Sequence, residues 1–195
     1  MGRKSRAEMI EETRGRLIAA ARRAFAEKGY ANASMDDFTA EAGLTRGALY
    51  HHFGGKAGLF EAVMHQIDAE MAERLADVAR RAETPWQAFI DENVAYLEMA
   101  LDPEIQRIIL RDGPAVLGDP SRWSSAEGCV AAIRASLVQL QADGVIAPVD
   151  AEATARLISG ASTNAAQWIA NSDDPRATSR RAVAAFRALL EQLRR

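Results

Sequence analysis

Ala42-Gly43-Leu44-Thr45-Arg46-Gly47-Ala48-Leu49-Tyr50-His51-His52-Phe53 is the stretch whose reading decides the fold. Gly43 takes positive φ at little cost, so it ends one helix and turns the chain. Leu44 anchors the turn, and Thr45 is a good N-cap for the helix that follows. Leu49 and Phe53 stand four residues apart and share one helical face. Arg46 with Tyr50, and Gly47 with His51, form two more such pairs on another face. That face offers a guanidinium, a phenol, an imidazole and a position without bulk, which is the composition of a helix laid into a DNA major groove. Two short helices packed in any core would explain Leu44, Leu49 and Phe53. They would not explain why Arg46, Tyr50 and His51 gather on the opposite side.

Working outward, Ser34 can cap a helix, with Asp37 three residues on as a short capping-box partner. Met35, Phe38 and Ala42 then recur at helical spacing. The pattern predicts a helix over about 35–42, a turn at Gly43 and a second helix over about 46–53, so a helix-turn-helix over about 34–53. Upstream, Leu17, Ile18, Ala21 and Phe25 form the apolar stripe of a longer helix. Gly29 ends it, and Tyr30 can fold back on its last turn. Before it, residues 1–12 are polar, with Arg3, Lys4 and Arg6 clustered. They predict a frayed arm, either a disordered terminus or one that touches phosphates or the minor groove. Downstream, Gly54 and Gly55 separate the pair from a helix that starts at Lys56 and carries Leu59, Phe60, Val63 and Ile67, continuing to about Ala82. A lysine among free N–H groups at a helix start is a natural phosphate site, and a helix of that length can connect two domains.

The remaining chain reads as helices with clear punctuation. Thr84-Pro85 opens one that carries Trp86, Phe89, Ile90, Val94 and Leu97. Asp102-Pro103 opens a short one that Asp112-Gly113-Pro114 should stop, leaving 115–125 as a loop. Helices over about 126–142, 152–170 and 175–193 follow. Valine and isoleucine are scattered and every long segment has helical period, so the fold class is all-α.

Charge is asymmetric. Residues 1–56 contain ten Lys or Arg against seven Asp or Glu, while the remainder contains fourteen against twenty. A basic head on an acidic body suits a protein that offers one end to a polyanion, although such an imbalance by itself also describes ordinary solvated faces. The single cysteine, Cys129, excludes an internal disulfide and a multi-cysteine zinc site. No apolar run is long enough to span a membrane and no signal-peptide pattern opens the chain, so the expected setting is the cytoplasm. His51, His52 and His65 lack carboxylate or cysteine partners at ligand spacing, and no nucleophile sits in a strand-turn-helix elbow. The sequence therefore calls for no metal, no cofactor and no enzymatic activity.

Residues from about Glu11 to Met71 resemble the DNA-binding domain of the tetracycline-repressor (TetR) family of bacterial transcriptional regulators. The resemblance rests on Ile18-Ala19-Ala20-Ala21, Phe25, Gly29-Tyr30, Ser34-Met35-Asp36-Asp37, the whole stretch Ala42 to Phe53, Lys56 and Leu59-Phe60, with ungapped spacing. It implies contacts to base edges or close groove approach by Thr45, Arg46, Gly47 and Tyr50, and phosphate contacts by Ser34, Tyr50, His51 and Lys56. One departure is Ala57-Gly58, where the family often has an acidic residue. Gly58 within a helix costs about 1 kcal/mol relative to Ala, so this turn should be less rigid.

The resemblance implies a head over 11–71 and an effector-binding and dimerisation domain over 72–195, joined by the long helix. The helix over 152–170 presents Ala153, Gly160, Ala161, Ser162, Ala165 and Ala166, so another backbone can come close. Composition leaves open whether that close packing is within one subunit or between two. The resemblance implies a homodimer through helices 152–170 and 175–193. It further implies double-stranded DNA with a palindromic operator as one partner and a small-molecule effector as the other, the effector releasing a repressor from DNA. Trp86, Phe89 and Leu97 are candidates for an effector-pocket wall, with Trp168 near the seam and Asn164 and Gln167 as polar groups. Those two amides are equally compatible with hydrogen bonds across the dimer seam. The wall predicts a neutral, partly aromatic effector. The alternatives are a helical carrier or enzyme that retains a helix-turn-helix head, and a nonspecific nucleic-acid binder.

Overall fold

The computed structural model describes residues 5–195. They form helices in the order α1 (Arg6–Asn32), α2 (Met35–Ala42), α3 (Arg46–Phe53), α4 (Lys56–Arg81), α5 (Pro85–Met99), α6 (Pro103–Ile105), a π-helical segment (Gln106–Asp112), α7 (Gly113–Leu117), a 3-10 turn (Pro120–Arg122), α8 (Ser124–Ala142), α9 (Ala151–Asn171) and α10 (Pro175–Glu191). Among the described residues there is no strand, only an isolated antiparallel bridge between Ile146 and Arg194. The chain divides into two compact units, Met1–Ile67 and Asp68–Arg195. The division falls four residues before the boundary expected from the sequence. No helix among the described residues is long and apolar enough to cross a membrane.

In the first unit the helix ends follow local chemistry. Gly43 takes φ 62°, ψ 39° and ends α2, and its N–H returns to the carbonyls of Thr39 and Ala40. Thr45 caps α3 by accepting the Ala48 N–H at 3.2 Å. Both helices lie where the sequence predicts them. The core behind them is aromatic. Phe25 meets Phe38 and Phe60 edge-on at 5.2 and 5.1 Å, and Tyr30 folds back to stack on Phe25 at 5.7 Å. Phe25, Phe38, Leu49 and Phe60 are wholly buried. Truncating such a phenylalanine to alanine costs about 3–5 kcal/mol, because transfer and cavity terms add.

Two local expectations are corrected here. Residues 6–12 are not a frayed arm. Ser5 accepts the Glu8 N–H at 3.2 Å while Glu8 accepts the Ser5 N–H at 2.6 Å, a full capping box that starts α1 at Arg6. Arg3 and Lys4 lie outside the described residues. At α2, Ser34 accepts the N–H of Asp36, not of Asp37. Asp37 instead forms an ion pair with Lys28 at 3.0 Å, because a carboxylate one methylene shorter than Glu does not reach back to the cap.

In the second unit, α8 packs on α9, and α10 packs on α5 and α9. Trp86, Phe89, Ile90, Leu97, Ile108, Leu137, Leu140, Ile169 and Phe186 are buried among them. Asp112-Gly113-Pro114 does not stop the chain's helical course. Pro114 has no N–H to donate, and the Gly113 N–H reaches back five residues to the Ile108 carbonyl. The wider π spacing carries the helix through to Leu117, and α8 begins at Ser124, so little of the expected 115–125 loop remains. Arg111 fixes this segment to α9, its Nε donating to the Ala170 carbonyl at 3.1 Å.

Candidate nucleic-acid interface and effector site

The outward face of α3 is built from below by α1. Arg14 Nη1 donates to the His52 carbonyl at 3.0 Å, and its guanidinium lies 4.7 Å from the Phe53 ring centroid. Arg16 Nη2 donates to the carbonyl of Ala42, the last residue of α2. A cation therefore meets the negative end of each short helix, where carbonyls lack intrahelical partners. Arg23 pairs with Glu41 on the flank. These contacts fix two eight-residue helices that propensity alone would leave marginal.

With Leu49 turned into the core, the opposite face of α3 is open. Thr45, Arg46, Gly47, Tyr50 and His51 are all exposed, Tyr50 by 52%. Gly47 is not required by internal sterics. Its φ is ordinary, and an added Cβ would meet only Thr45 Oγ1, at 3.7 Å. Arg46 is less free than the sequence suggests. Its guanidinium forms a two-point pair with Asp36 of α2, with Nη2–Oδ2 at 2.6 Å. The hydrogen bonds that Arg46 donates to Asp36, with the carboxylate's charge, hold the Arg46 pKa above its ordinary value. The sequence places Asp36 in the family motif but gives it no role. The signal was an acid at the start of α2, ten residues before an arginine at the start of α3.

Ser34 is half-buried, with its hydroxyl engaged as the α2 cap. At the start of α4, Lys56 Nζ lies 4.4 Å from the centroid of the Tyr30 ring, and partial burial lowers its pKa. Gly58 has a structural reason that the sequence hid. A Cβ there would collide with the carbonyl of Phe53, so the missing side chain lets α4 pass directly beneath the end of α3. The close approach makes this turn tightly packed, not loose.

The six expected effector residues divide. Trp86, Phe89 and Leu97 are buried in the core along α5. Gln167 is half-buried, whereas Asn164 and Trp168 face outward from α9, with Arg181 5.4 Å over the Trp168 ring. Helical period explains the split. Positions 157, 161, 164 and 168 share one side of α9, and 155, 158, 162, 166 and 169 share the other. The outward side continues onto α10, where Ala184, Ala185, Ala188 and Leu189 are exposed. Leu157 at 74% and Leu189 at 66% are the most exposed large apolar residues among those described.

A polar cluster that the sequence reading missed lies in the second unit. The Tyr96 hydroxyl bonds to Thr163, and burial pushes its pKa up to about 12. Partial desolvation likewise raises the carboxyl of half-buried Glu92 and the thiol of Cys129, which lies exposed on α8, and Asp68 and Glu92 both act on Cys129 electrostatically. Four helices thus contribute: α4 by Asp68, α5 by Glu92 and Tyr96, α8 by Cys129, and α9 by Thr163. The available signal was the pair Glu92 and Tyr96, four residues apart and so on one face of α5. Among the described residues no group of three His, Cys, Asp or Glu is placed to hold a metal ion.

The fold and its outward α3 define a helix-turn-helix regulator of the DNA-binding class. Residues 17–63 match the family model of bacterial regulatory proteins of the tetR family, and residues 86–193 match that of the tetracyclin repressor-like C-terminal domain. The chain belongs to the TetR family of transcriptional regulators. The crystal structure of a TetR-family transcriptional regulator from Pectobacterium atrosepticum superposes with a TM-score of 0.90 at 51% identity, over 98% of this chain and 98% of that one. The HTH-type transcriptional regulator SrpR of Pseudomonas putida is 36% identical over 108 residues, 53% of this chain. The chain spans under half of that regulator, 46% of its length. RolR, solved in complex with resorcinol, shares the fold with a TM-score of 0.70 at 21% identity, over 94% of this chain and 90% of that one.

Proposed function

We propose that this protein is a dimeric repressor that leaves a palindromic operator when a small molecule binds. The observation that carries the reading is the α3 face, where Thr45, Arg46, Gly47, Tyr50 and His51 are exposed opposite buried Leu49, with Ser34 and Lys56 on the flanks. Thr45, Arg46, Gly47 and Tyr50 face base edges, and Ser34, Tyr50, His51 and Lys56 face phosphates. The exposed apolar side of α9 and α10 supports a homodimer seam, since such a continuous patch marks an interaction surface. On this reading Asn164 and Trp168 belong to the seam.

The effector site of this reading centres on Tyr96, Glu92, Cys129 and Thr163, with the α5 aromatics Trp86 and Phe89 and with Leu97 as the apolar backing and Gln167 nearby. What supports this placement is a group of polar side chains with shifted pKa values drawn from several helices, Glu92, Tyr96 and Thr163 half-buried and Cys129 exposed beside them. A small aromatic molecule bearing hydroxyl groups fits those acceptors, and RolR offers an analogy in resorcinol. Coupling runs along α4, which carries Lys56 at its start and Asp68 further on. An effector that favours one arrangement of the second unit and DNA that favours another oppose each other reciprocally.

The test selects binding sites for the full-length protein from a random duplex DNA library. The expected result is a two-fold sequence with half-sites about one helical turn or a multiple apart, bound with strong salt dependence. Displacement by a panel of small phenols, resorcinol included, then reads the effector arm. Binding with no sequence preference would favour the nonspecific binder and overturn the proposal.

A further inference from the structure

Arg46 and Asp36 present a geometry that the reading of Arg46 as a base-contacting residue does not by itself require. Asp36 sits in the first turn of α2, where its own N–H is held by Ser34 Oγ at 3.2 Å. Arg46 opens α3 on the far side of the turn. The carboxylate takes the Nε and Nη2 hydrogens of the guanidinium, with Nη2–Oδ2 at 2.6 Å. Both side chains remain open to solvent, at 59% and 63%.

Guanidinium has five N–H donors in one plane. A carboxylate on the Nε/Nη2 edge uses two of them. The Nη1/Nη2 edge keeps a complete pair of parallel donors, and that pair has the spacing of the O6 and N7 acceptors of guanine. Planarity then does the orienting: fixing one edge fixes the plane and direction of the other. An unrestrained arginine would lose its rotamer freedom on docking, whereas one held by a carboxylate has lost much of it beforehand. Charge argues the same way. An exposed carboxylate on a DNA-facing surface is repelled by phosphates, and it is tolerated when a guanidinium that stays with it in the complex neutralises it.

We propose that Asp36 is a specificity-positioning residue, which holds the Arg46 guanidinium so that its free Nη1/Nη2 edge reads a guanine in the major groove. The inference rests on the proposed DNA-reading role of Arg46. It adds a residue that touches no base and a base identity for the contact.

The experiment uses the full-length protein and the duplex that the wild type selects from a random library, with a scrambled duplex of the same composition as reference. Asp36→Ala and Asp36→Asn are compared with wild type for the ratio of affinities on the two duplexes, and Arg46→Ala and the double variant Asp36→Ala/Arg46→Ala complete the cycle. Unchanged melting temperatures establish that each variant folds. The expected result is that either Asp36 variant loses about tenfold of the discrimination, the low end of what a bidentate base contact provides. The loss should concentrate at one guanine of each half-site when that base pair is varied, and binding to the scrambled duplex should be unchanged or slightly tighter. In the Arg46→Ala background Asp36→Ala should have no further effect on discrimination. Tighter operator binding at unchanged discrimination would overturn the proposal, since Asp36 would then be a brake. So would a loss that persists without Arg46. If Arg46→Ala itself keeps full discrimination, the reading of α3 fails first. If Arg46→Ala loses it and Asp36→Ala does not, only this inference fails.

Discussion

Arg14 of α1 donates to the carbonyl of His52 at 3.0 Å, so a side chain 38 residues away caps α3, the helix proposed to face DNA. Arg14→Ala removes a charged cap and the packing on Phe53 together. The expected outcome is a loss of about 1–2 kcal/mol in stability by denaturant unfolding. Affinity for operator and scrambled DNA should fall in parallel, because the contact positions α3 without touching a base. A selective loss on the operator would contradict that role.

Gly47 separates stability from binding. Its φ is ordinary and space is available for a Cβ, so Gly47→Ala should stabilise α3 by up to about 1 kcal/mol. The same methyl group intrudes on the proposed groove contact, so operator binding should weaken. Calorimetry and a binding titration on one sample check both signs. Stabilisation without loss of binding would move the DNA surface away from Gly47.

Lys56 and Arg46 should differ in kind. Lys56→Ala is expected to weaken binding to all duplexes evenly and to reduce the slope of log affinity against log salt by about 1. Arg46→Ala should cost about 1–3 kcal/mol on the operator and far less on scrambled DNA. Titrations of both variants across a salt series make the comparison.

Leu157 and Ala161 lie on the exposed apolar side of α9. Ala161→Glu or Leu157→Glu would bury an unpaired carboxylate in the proposed seam, at several kcal/mol, and should give monomers or aggregate. Light scattering that finds unchanged dimers for both variants removes the seam from this face.

Glu92 provides a pH test. Burial raises its pKa in the folded protein above the ordinary value. A carboxyl with a raised folded pKa binds its proton more tightly when folded. Its contribution to stability is therefore fully present below the unfolded value and is lost as pH rises through the folded one. Glu92→Gln, which cannot ionise, should melt higher than wild type at neutral pH, with the difference vanishing below about pH 4. A gain that is the same at both pH values would show that charge is not its cause.

The sequence by itself determined the helix-turn-helix. Gly43, Thr45 and Ser34 act within four residues of themselves, so their chemistry sets the ends of α2 and α3 without help from the rest of the chain. Helical period likewise assigned Leu49 inward and Arg46, Tyr50 and His51 to the other faces. What only the tertiary structure decided involves groups far apart in sequence. Arg46 is engaged by Asp36 across the turn, and Arg14 and Arg16 reach the ends of α3 and α2. Gly58 is bare because another helix's carbonyl needs the space. Asn164 looked like a pocket amide on a largely apolar helix, but the direction in which α9 packs turned it outward. Tyr96, Glu92, Cys129 and Thr163 became one cluster only when three helices converged. Capping and periodicity are written in neighbouring residues, whereas these pairings depend on side-chain reach and on which face each helix buries.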